Sequence, residues 1–240
     1  MVAAGRPHRS PSTIRRGGRL VLGMAVTSVR YAVQRIPTYR RDRGDSPDEP
    51  PDFDRELPGD PATLQRPGDG VGPLYHRIYW IHVTDESLGG EELISYILEE
   101  PNHVAPTEMA SFETMDGEPA RNLQVGDELI VRLRGPWNGP VRVIERTPTS
   151  FRFATMQGHL EAGEIEFQTG TDARGFLEFR IESWTRSGDA LFHLLYTRLF
   201  IGRELQQHMW AQFCRRVAGA SGGVLMSNPA SSTRRLEPGP

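Results

Sequence analysis

The sequence has no lysine, a single cysteine and no long apolar run. All 28 basic residues are arginines, and because this holds at every basic position we attribute it to genome base composition rather than to guanidinium chemistry. The single cysteine, Cys214, excludes an internal disulfide and a cysteine-based zinc site. No apolar run approaches the ~20 residues of a membrane-spanning helix. We expect a cytoplasmic protein that holds no metal and no cofactor.

The chain length limits the number of domains, and the net charge bears on the kind of partner. A chain of 240 residues can bury one sizeable domain and still carry additional segments. The net charge of −3 gives no excess of basic residues of the kind that nucleic-acid-binding domains carry. We therefore expect no nucleic-acid partner.

The first 43 residues are basic, with ten arginines and one acidic residue, Asp42. Between residues 20 and 36, apolar side chains recur at spacings of four and three, which predicts an amphipathic helix that ends before Pro37. Three interpretations stay open: an arm that packs on the domain, peripheral contact of residues 20–43 with an anionic membrane, or an organelle transit peptide. Met24 lies just before the helix body and is a candidate for the true start of the chain.

Two segments have little to bury. Residues 44–72 are rich in acidic residues and proline, and we interpret them as an extended linker. Residues 220–240 contain glycine, serine, proline and the pair Arg234 and Arg235, so we expect a disordered tail. Between them, residues 73–219 are predicted to form one folded domain.

The domain begins with a predicted strand and helix. Residues 74–83 are dense in β-branched and aromatic side chains, which predicts a strand. The segment GGEELISYILEE starts with two acidic residues and precedes a proline, which predicts a short helix with Leu93, Ile94 and Ile97 on its inner side. Residues 102–124 contain prolines and scattered apolar residues, and we expect a second short helix and a loop there.

Five successive runs then alternate apolar and charged residues, which predicts strands with one apolar face. Their apolar positions are Leu129, Val131, Leu133, Val141, Val143, Phe151, Phe153, Ile165, Phe167, Leu177, Phe179 and Ile181. Turn-forming residues lie between the runs. The pattern predicts an antiparallel sheet whose charged face is in water.

The last predicted element is a long helix over about residues 188–217. Its apolar residues step by three and four, so they form one stripe that we expect to lie on the apolar face of the sheet. A strand, short helices, an antiparallel meander and a long closing helix follow the order of the START-like, helix-grip plan. The predicted fold is therefore α+β, with an antiparallel sheet wrapped around a long C-terminal helix, a helical N-terminal arm, and a cavity between sheet and helix.

Four stretches resemble one uncharacterised family: GVGPLYHR at 70–77, GPWNGPVRV at 135–143, FRFATMQGHLEAGEIEF at 151–167 and ELQQHMWAQFCRRV at 204–217. The family is named domain of unknown function nineteen-ninety (DUF1990). The loop GHLEAGE and the strand after it are the most specific part, and RYAVQRIPTYR resembles the N-terminal arm of some members. The resemblance supplies no reaction and no catalytic residue.

The loop between Gly158 and Glu164 carries the candidate chemistry. His159, Glu161 and Glu164 are residue types that transfer protons at neutral pH or bind a metal. Glycines on either side of a few polar residues are also typical of a simple connection between strands. Three interpretations of the loop follow, and we favour them in this order: a structural turn, a ligand-contacting loop, and a catalytic or metal site.

Arg198 falls on the apolar stripe of the last helix, where a buried guanidinium is costly unless it is paired. It can pair with an internal carboxylate, for which Glu145 is the candidate because it follows Val141 and Val143 on the apolar face. It can instead anchor an acidic ligand in the cavity, or extend to solvent at the edge of the stripe.

Four further residues are candidates for ligand contact: Trp184, Tyr196, Gln206 and Trp137. We interpret Trp184 and Tyr196 as core or cavity wall. Gln206 lies next to the stripe and projects into a cavity or into solvent. Trp137 lies at a hairpin tip, where it covers a pocket mouth or simply caps the turn.

The sequence supports three functional hypotheses. The first is a non-catalytic module that binds a small hydrophobic or amphipathic molecule in the cavity, which is the default ligand site of such folds. The second is an enzyme on the same scaffold that uses His159 with Glu161 or Glu164. The third is an interaction protein whose basic arm contacts membranes.

Overall fold

The computed structural model describes four parts of the chain, residues 39–41, 50–133, 138–189 and 201–236. The predicted arm helix over residues 20–36 lies outside the described residues. So do Trp137, Tyr196 and Arg198, and the part of the predicted long helix from residue 190 to residue 200.

The described residues form ten strands of one sheet. Their bounds are β1 (Tyr39–Arg41), β2 (Val71–Thr84), β3 (Ala110–Thr114), β4 (Glu128–Leu133), β5 (Asn138–Arg146), β6 (Ser150–Thr155), β7 (Glu161–Thr171), β8 (Leu177–Ser187), β9 (Val224–Leu225) and β10 (Ala230–Leu236). The order across the sheet is β1-β10-β2-β8-β7-β6-β5-β4-β3, and β9 pairs with β2 outside this path. All pairs are antiparallel except that of β1 and β10. An α+β fold with a large antiparallel sheet and few helices, including a C-terminal one, is therefore confirmed.

Two α-helices, α1 (Gly90–Glu99) and α2 (Ile201–Ala220), lie in the described residues. The side chain of Glu92 accepts a hydrogen bond from the backbone N–H of Gly89 at 2.8 Å and caps the start of α1. The buried side chains of α1 are Leu93, Ile94, Ile97 and Leu98. The predicted first strand and the helix after it are both confirmed.

The expectation of a second short helix in residues 102–124 is wrong. Pro101–His103 forms one 3-10 turn, and Ala110–Thr114 forms β3 at the edge of the sheet. Only Ala110 and Phe112 of this strand are buried. Five residues give too short an alternation for the sequence to distinguish such a strand from a loop.

Both α-helices pack against one face of the sheet, which we call the inner face. Its core is aromatic, and the ring centroid of Phe167 lies 5.6 Å from that of Trp210 and 5.5 Å from that of Phe213. Tyr79 and Ile181 belong to the same buried cluster. For its described part, the C-terminal helix therefore lies on the apolar face of the sheet, as its stripe predicts.

The opposite face of the sheet, which we call the outer face, is covered in part by residues 53–66. Leu64 of this segment packs with Ile144, Ala154 and Met156. The expectation of an extended linker is therefore wrong for these residues. Their few apolar side chains are enough to fix the segment because the sheet supplies the rest of the contact surface.

Arg142 shows why the charged face of the sheet is not simply in water. Its side chain is 2% exposed and pairs with Glu128. It also donates hydrogen bonds to the backbone carbonyls of Pro58 at 3.0 Å and Asp60 at 3.1 Å. The expectation of a solvated face is wrong here, because alternation of apolar and charged residues does not distinguish water from a polar chain segment as the cover.

The end of the chain adds a strand to the sheet. β10 pairs with β2 from Ala230 opposite Trp80 to Leu236 opposite Leu74. The expectation of disorder is wrong for residues 230–236, since a strand can be held by backbone hydrogen bonds that need no apolar side chains. Within the described residues, no helix combines the length and the apolar composition that a membrane crossing requires.

Candidate functional site

The inner face becomes polar toward the end of β8. We call this region the inner polar cluster and define it by Arg77, Glu161, Ser183, Thr185 and Gln206. In the sheet, Ser183 lies opposite Arg77 on one side and opposite Ile165 on the other. These positions alternate with the outer-face residues, so they share the face of the aromatic core.

Arg77 is the buried charge of the cluster, with 3% of its surface exposed. It donates a hydrogen bond to Oγ1 of Thr185 at 2.7 Å and pairs with Oε1 of Glu161 at 3.2 Å. Its guanidinium also lies 5.0 Å from the ring centroid of Tyr75. The pairing with Glu161 offsets much of the cost of burying a guanidinium.

Gln206 connects the helix to this cluster. Its Nε2 donates a hydrogen bond to Oε2 of Glu161 at 3.0 Å. The two carboxylate oxygens of Glu161 are thus divided between Arg77 on β2 and Gln206 on α2. Of the two directions that the sequence left open for Gln206, this contact agrees with the one toward the space between sheet and helix.

Oγ of Ser183 and Nε1 of Trp210 are buried polar atoms on the inner face that have no hydrogen-bond partner in the described parts of the chain. Their residues are 2% and 8% exposed. Buried polar groups in folded proteins are paired in more than about nine cases in ten. A ligand or water that lies between the sheet and α2 can complete the hydrogen bonding of these two atoms.

Half-buried apolar side chains adjoin the polar cluster. Val131, Ile165 and Met209 are only partly buried, although they pack against the aromatic core. On α2, Met209 and Trp210 follow Gln206 by three and four residues, so each of them lies on the same side of the helix as Gln206. The inner face therefore combines a closed core, a looser apolar region and a polar end.

His159 lies beside the cluster without joining its carboxylate. Its Nδ1 is 2.9 Å from both the backbone nitrogen and the backbone oxygen of Glu161. Burial lowers the pKa of His159, against the opposing charge of Glu161, so the ring is neutral at neutral pH. The backbone contact fixes the loop, which agrees with the structural-turn interpretation.

Glu164 is separated from His159 and Glu161 by the sheet itself. It lies on the outer face, where Arg55 donates two hydrogen bonds to its carboxylate at 3.0 and 2.8 Å. Arg152 approaches the same carboxylate at 3.6 Å. The three residues of the hypothesised acid/base or metal cluster are therefore not brought together.

Trp184 also lies on the outer face rather than on a wall between sheet and helix. Its indole stacks on the ring of His76 at 5.2 Å, and the guanidinium of Arg152 lies 5.7 Å from it. The alternation that places Phe179 and Ile181 on the inner face already assigns Trp184 to the other side. The same rule applied to β2 would have identified Arg77 as an inner-face residue.

Glu145 does not reach the inner face. The register of β5 against β6 shifts between Val143 and Glu145. This β-bulge turns Glu145 toward Arg152 on the outer face, where the two side chains are 3.8 Å apart. Its predicted role as an inward-facing carboxylate is therefore wrong.

Residues 107–216 match the family model described as Domain of unknown function (DUF1990). Over this part, the chain is similar to DUF1990. The DUF1990 match contains Glu161, Ser183 and Gln206 of the inner polar cluster, whereas Arg77 lies before it. The resemblance seen in the sequence is thus confirmed for this part.

Several solved structures are similar to this chain at low identity. A conserved protein from Geobacillus kaustophilus is 13% identical with a TM-score of 0.43, over 62% of this chain and 98% of that one. The major latex-like protein 151 of Panax ginseng is 18% identical with a TM-score of 0.33, over 57% and 99%. A hypothetical protein from Helicobacter pylori is 8% identical with a TM-score of 0.41, over 65% and 92%. Among curated proteins, no match is found for this chain.

Proposed function

We propose that this domain is a non-catalytic module that binds a small molecule with an apolar body between the inner face of the sheet and α2. The observation that carries the proposal is the pair of buried polar atoms, Ser183 Oγ and Trp210 Nε1, beside half-buried apolar side chains. A ligand that fills the apolar region and reaches these atoms satisfies both.

The arrangement of the elements supports a helix-grip, START-like plan. From β2 the sheet continues through β8, β7, β6, β5 and β4 to β3 at its edge, and α1 lies in the long connection from β2 to β3. The C-terminal helix α2 follows β8 and contacts β2 and β8. In such a plan the space between sheet and long helix is the natural binding site.

Binding is better supported than catalysis at this place. Both oxygens of Glu161 are engaged by protein side chains, and the contact of His159 with Glu161 is through the backbone. Within the described residues, no specific observation favours an enzyme that uses His159 or a membrane contact through residues 20–43. Both hypotheses stay predictions.

The proposal is tested by native mass spectrometry of the full chain purified from its own cells. We expect a bound small molecule in the wild-type protein, or, if it is lost on purification, binding of one molecule of the uncharged probe N-phenyl-1-naphthylamine per chain. Ile165→Phe fills the half-buried apolar region, so we expect it to reduce binding at least tenfold.

The matched control is Ile130→Phe. Ile130 alternates with Leu129 and Val131 on β4 and therefore lies on the outer face. The Ile130→Phe substitution adds the same side-chain volume as Ile165→Phe and leaves the inner face unchanged, so this variant should bind as the wild type does. Absence of both a co-purifying molecule and probe binding, or equal binding by the two variants, would refute the proposal.

A further inference from the structure

The two buried atoms without partners have a definite hydrogen-bonding character. The indole Nε1–H of Trp210 is a donor only, and the hydroxyl of Ser183 can donate as well as accept. Burial of an unsatisfied donor is unfavourable. The atom that satisfies Trp210 must therefore be an acceptor, which in a small organic molecule is most often an oxygen.

Two helix–sheet contacts flank Ser183. At one end, Gln206 reaches Glu161, and at the other, Trp210 packs on Phe167. Along β7, the six steps from residue 161 to residue 167 cover about 20 Å. Along α2, the four steps from residue 206 to residue 210 cover about 6 Å.

Because the strand advances much further than the helix, the side chains of Gln206 and Trp210 diverge toward the sheet. Neither of them covers the stretch between their contacts, where Ile165 lies opposite Ser183. Ile165 is correspondingly only half-buried. A group placed there has an apolar neighbour on β7 and a hydroxyl on β8.

The charge in this region is already balanced among the described residues. The guanidinium of Arg77 pairs with Glu161 at 3.2 Å, and Gln206 and Thr185 add only neutral groups. A carboxylate or phosphate brought beside Ser183 would meet the like charge of Glu161, and no further cationic side chain of the described inner face offsets it. An uncharged group meets no such repulsion.

We infer that the molecule bound by this domain carries an uncharged oxygen acceptor, such as a hydroxyl, carbonyl or ester, on an apolar body. Its oxygen accepts hydrogen bonds from Ser183 and Trp210, and its apolar part lies against Ile165 and Met209. The inference rests on the proposed binding function and adds the class of ligand. It assigns Ser183 and Trp210 as the residues that select that class.

The test compares four probes of equal chain length on the full chain: decane, decanol, methyl octyl ketone and decanoate. Each competes with the uncharged fluorescent probe N-phenyl-1-naphthylamine, and displacement gives its affinity. We expect decanol and the ketone to bind more tightly than decane or decanoate. Ser183→Ala should weaken decanol binding about fivefold, the equivalent of one hydrogen bond, and leave decane unchanged.

Trp210→Phe is the second variant, because it removes the donor and keeps an aromatic ring. It should lower the preference for decanol over decane in the same direction. Ser232→Ala is the matched control: Ser232 is also a buried serine but lies opposite Ile78, on the outer face. It should keep the wild-type preference.

The outcomes separate the ligand class from the binding function. If decanoate binds most tightly, if decane equals decanol, or if Ser183→Ala and Trp210→Phe keep the wild-type preference, the ligand class is wrong and the binding function stands. If the fluorescent probe does not bind and no small molecule co-purifies, the binding function fails, and the inference fails with it.

Discussion

Gln206 of α2 donates a hydrogen bond to Glu161 at the first residue of β7, across 3.0 Å. The same carboxylate holds the buried guanidinium of Arg77 on β2 at 3.2 Å. One side chain therefore connects the helix and two strands that are not neighbours in the sheet, since β8 lies between β2 and β7. This carboxylate therefore adds a polar contact to the aromatic packing that places α2 over the inner face.

Loss of the Glu161 charge should destabilise the fold. Glu161→Gln keeps the shape of the side chain and removes the charge that faces Arg77, whose side chain is 4% exposed. We expect the free energy of unfolding to fall by about 2 to 4 kcal/mol, measured by urea denaturation. Glu113→Gln is the control, because its partner Arg132 is 45% exposed and the loss should stay under about 1 kcal/mol. Equal losses in the two variants would contradict the role of Glu161.

Gly163 should tolerate no side chain. Its φ is +147°, and a Cβ there would overlap the backbone carbonyl of Trp184 on the neighbouring strand. We expect Gly163→Ala to lower the free energy of unfolding by about 3 kcal/mol or more, because neither backbone can move away without breaking the pairing of β7 with β8.

The control for Gly163 is on the same strand. A Cβ at Gly170 would meet no atom within 4 Å, so Gly170→Ala should change stability by less than about 1 kcal/mol. Both variants are measured by urea denaturation followed by circular dichroism. A Gly163→Ala variant as stable as Gly170→Ala would show that β7 is not held in this conformation.

The sequence predicts the strands and the C-terminal helix better than it predicts the segment that covers the outer face. Alternation in β4 to β8 and the stripe on the last helix follow from burial on one side, so both are visible in one sequence. Residues 53–66 are held largely through backbone carbonyls, such as those that accept from Arg142. Because every residue type has a backbone carbonyl, these hydrogen bonds do not depend on composition, and the composition of the segment predicts a linker.

The candidate site was predictable in part. Gln206 lies next to the apolar stripe, so the helical wheel left its direction open between the cavity and solvent. Arg77 is two residues from Tyr79 and Ser183 is two residues from Ile181, so strand alternation places both on the inner face. A single polar residue in an apolar strand does not by itself indicate a binding site. The bulge before Glu145 was not predictable, because it depends on which residues of β6 pair with β5.

Cys214 should react only when the protein unfolds. It is fully buried on α2, and burial raises the pKa of its thiol far above the ordinary value. The thiolate is the reactive form, so native protein at pH 8 should resist iodoacetamide. Because the chain has one cysteine, the extent of labelling across a urea series should follow the unfolding curve. Fast labelling without urea would contradict the burial, and Cys214→Ser should remain unlabelled throughout.

Stability should fall as the pH drops below about 6.5. Burial lowers the pKa of both His159 and His208, against the nearby charges of Glu161 and Glu108 respectively. Below the unfolded pKa of about 6.5 the unfolded chain takes up protons at these rings before the folded protein does. Each histidine therefore removes up to about 1.4 kcal/mol of stability per pH unit, until the pH reaches its folded pKa.

The pH effect is measured by urea denaturation between pH 8 and pH 5.5, with His159→Gln and His208→Gln compared with the wild type. At pH 8 both rings are neutral, so the difference there reports lost packing and lost hydrogen bonds of the neutral ring. Toward pH 5.5 each variant should lose less stability than the wild type, because it lacks one of the two groups that take up a proton on unfolding. Parallel pH curves for the wild type and both variants would show that neither ring is held neutral by its surroundings.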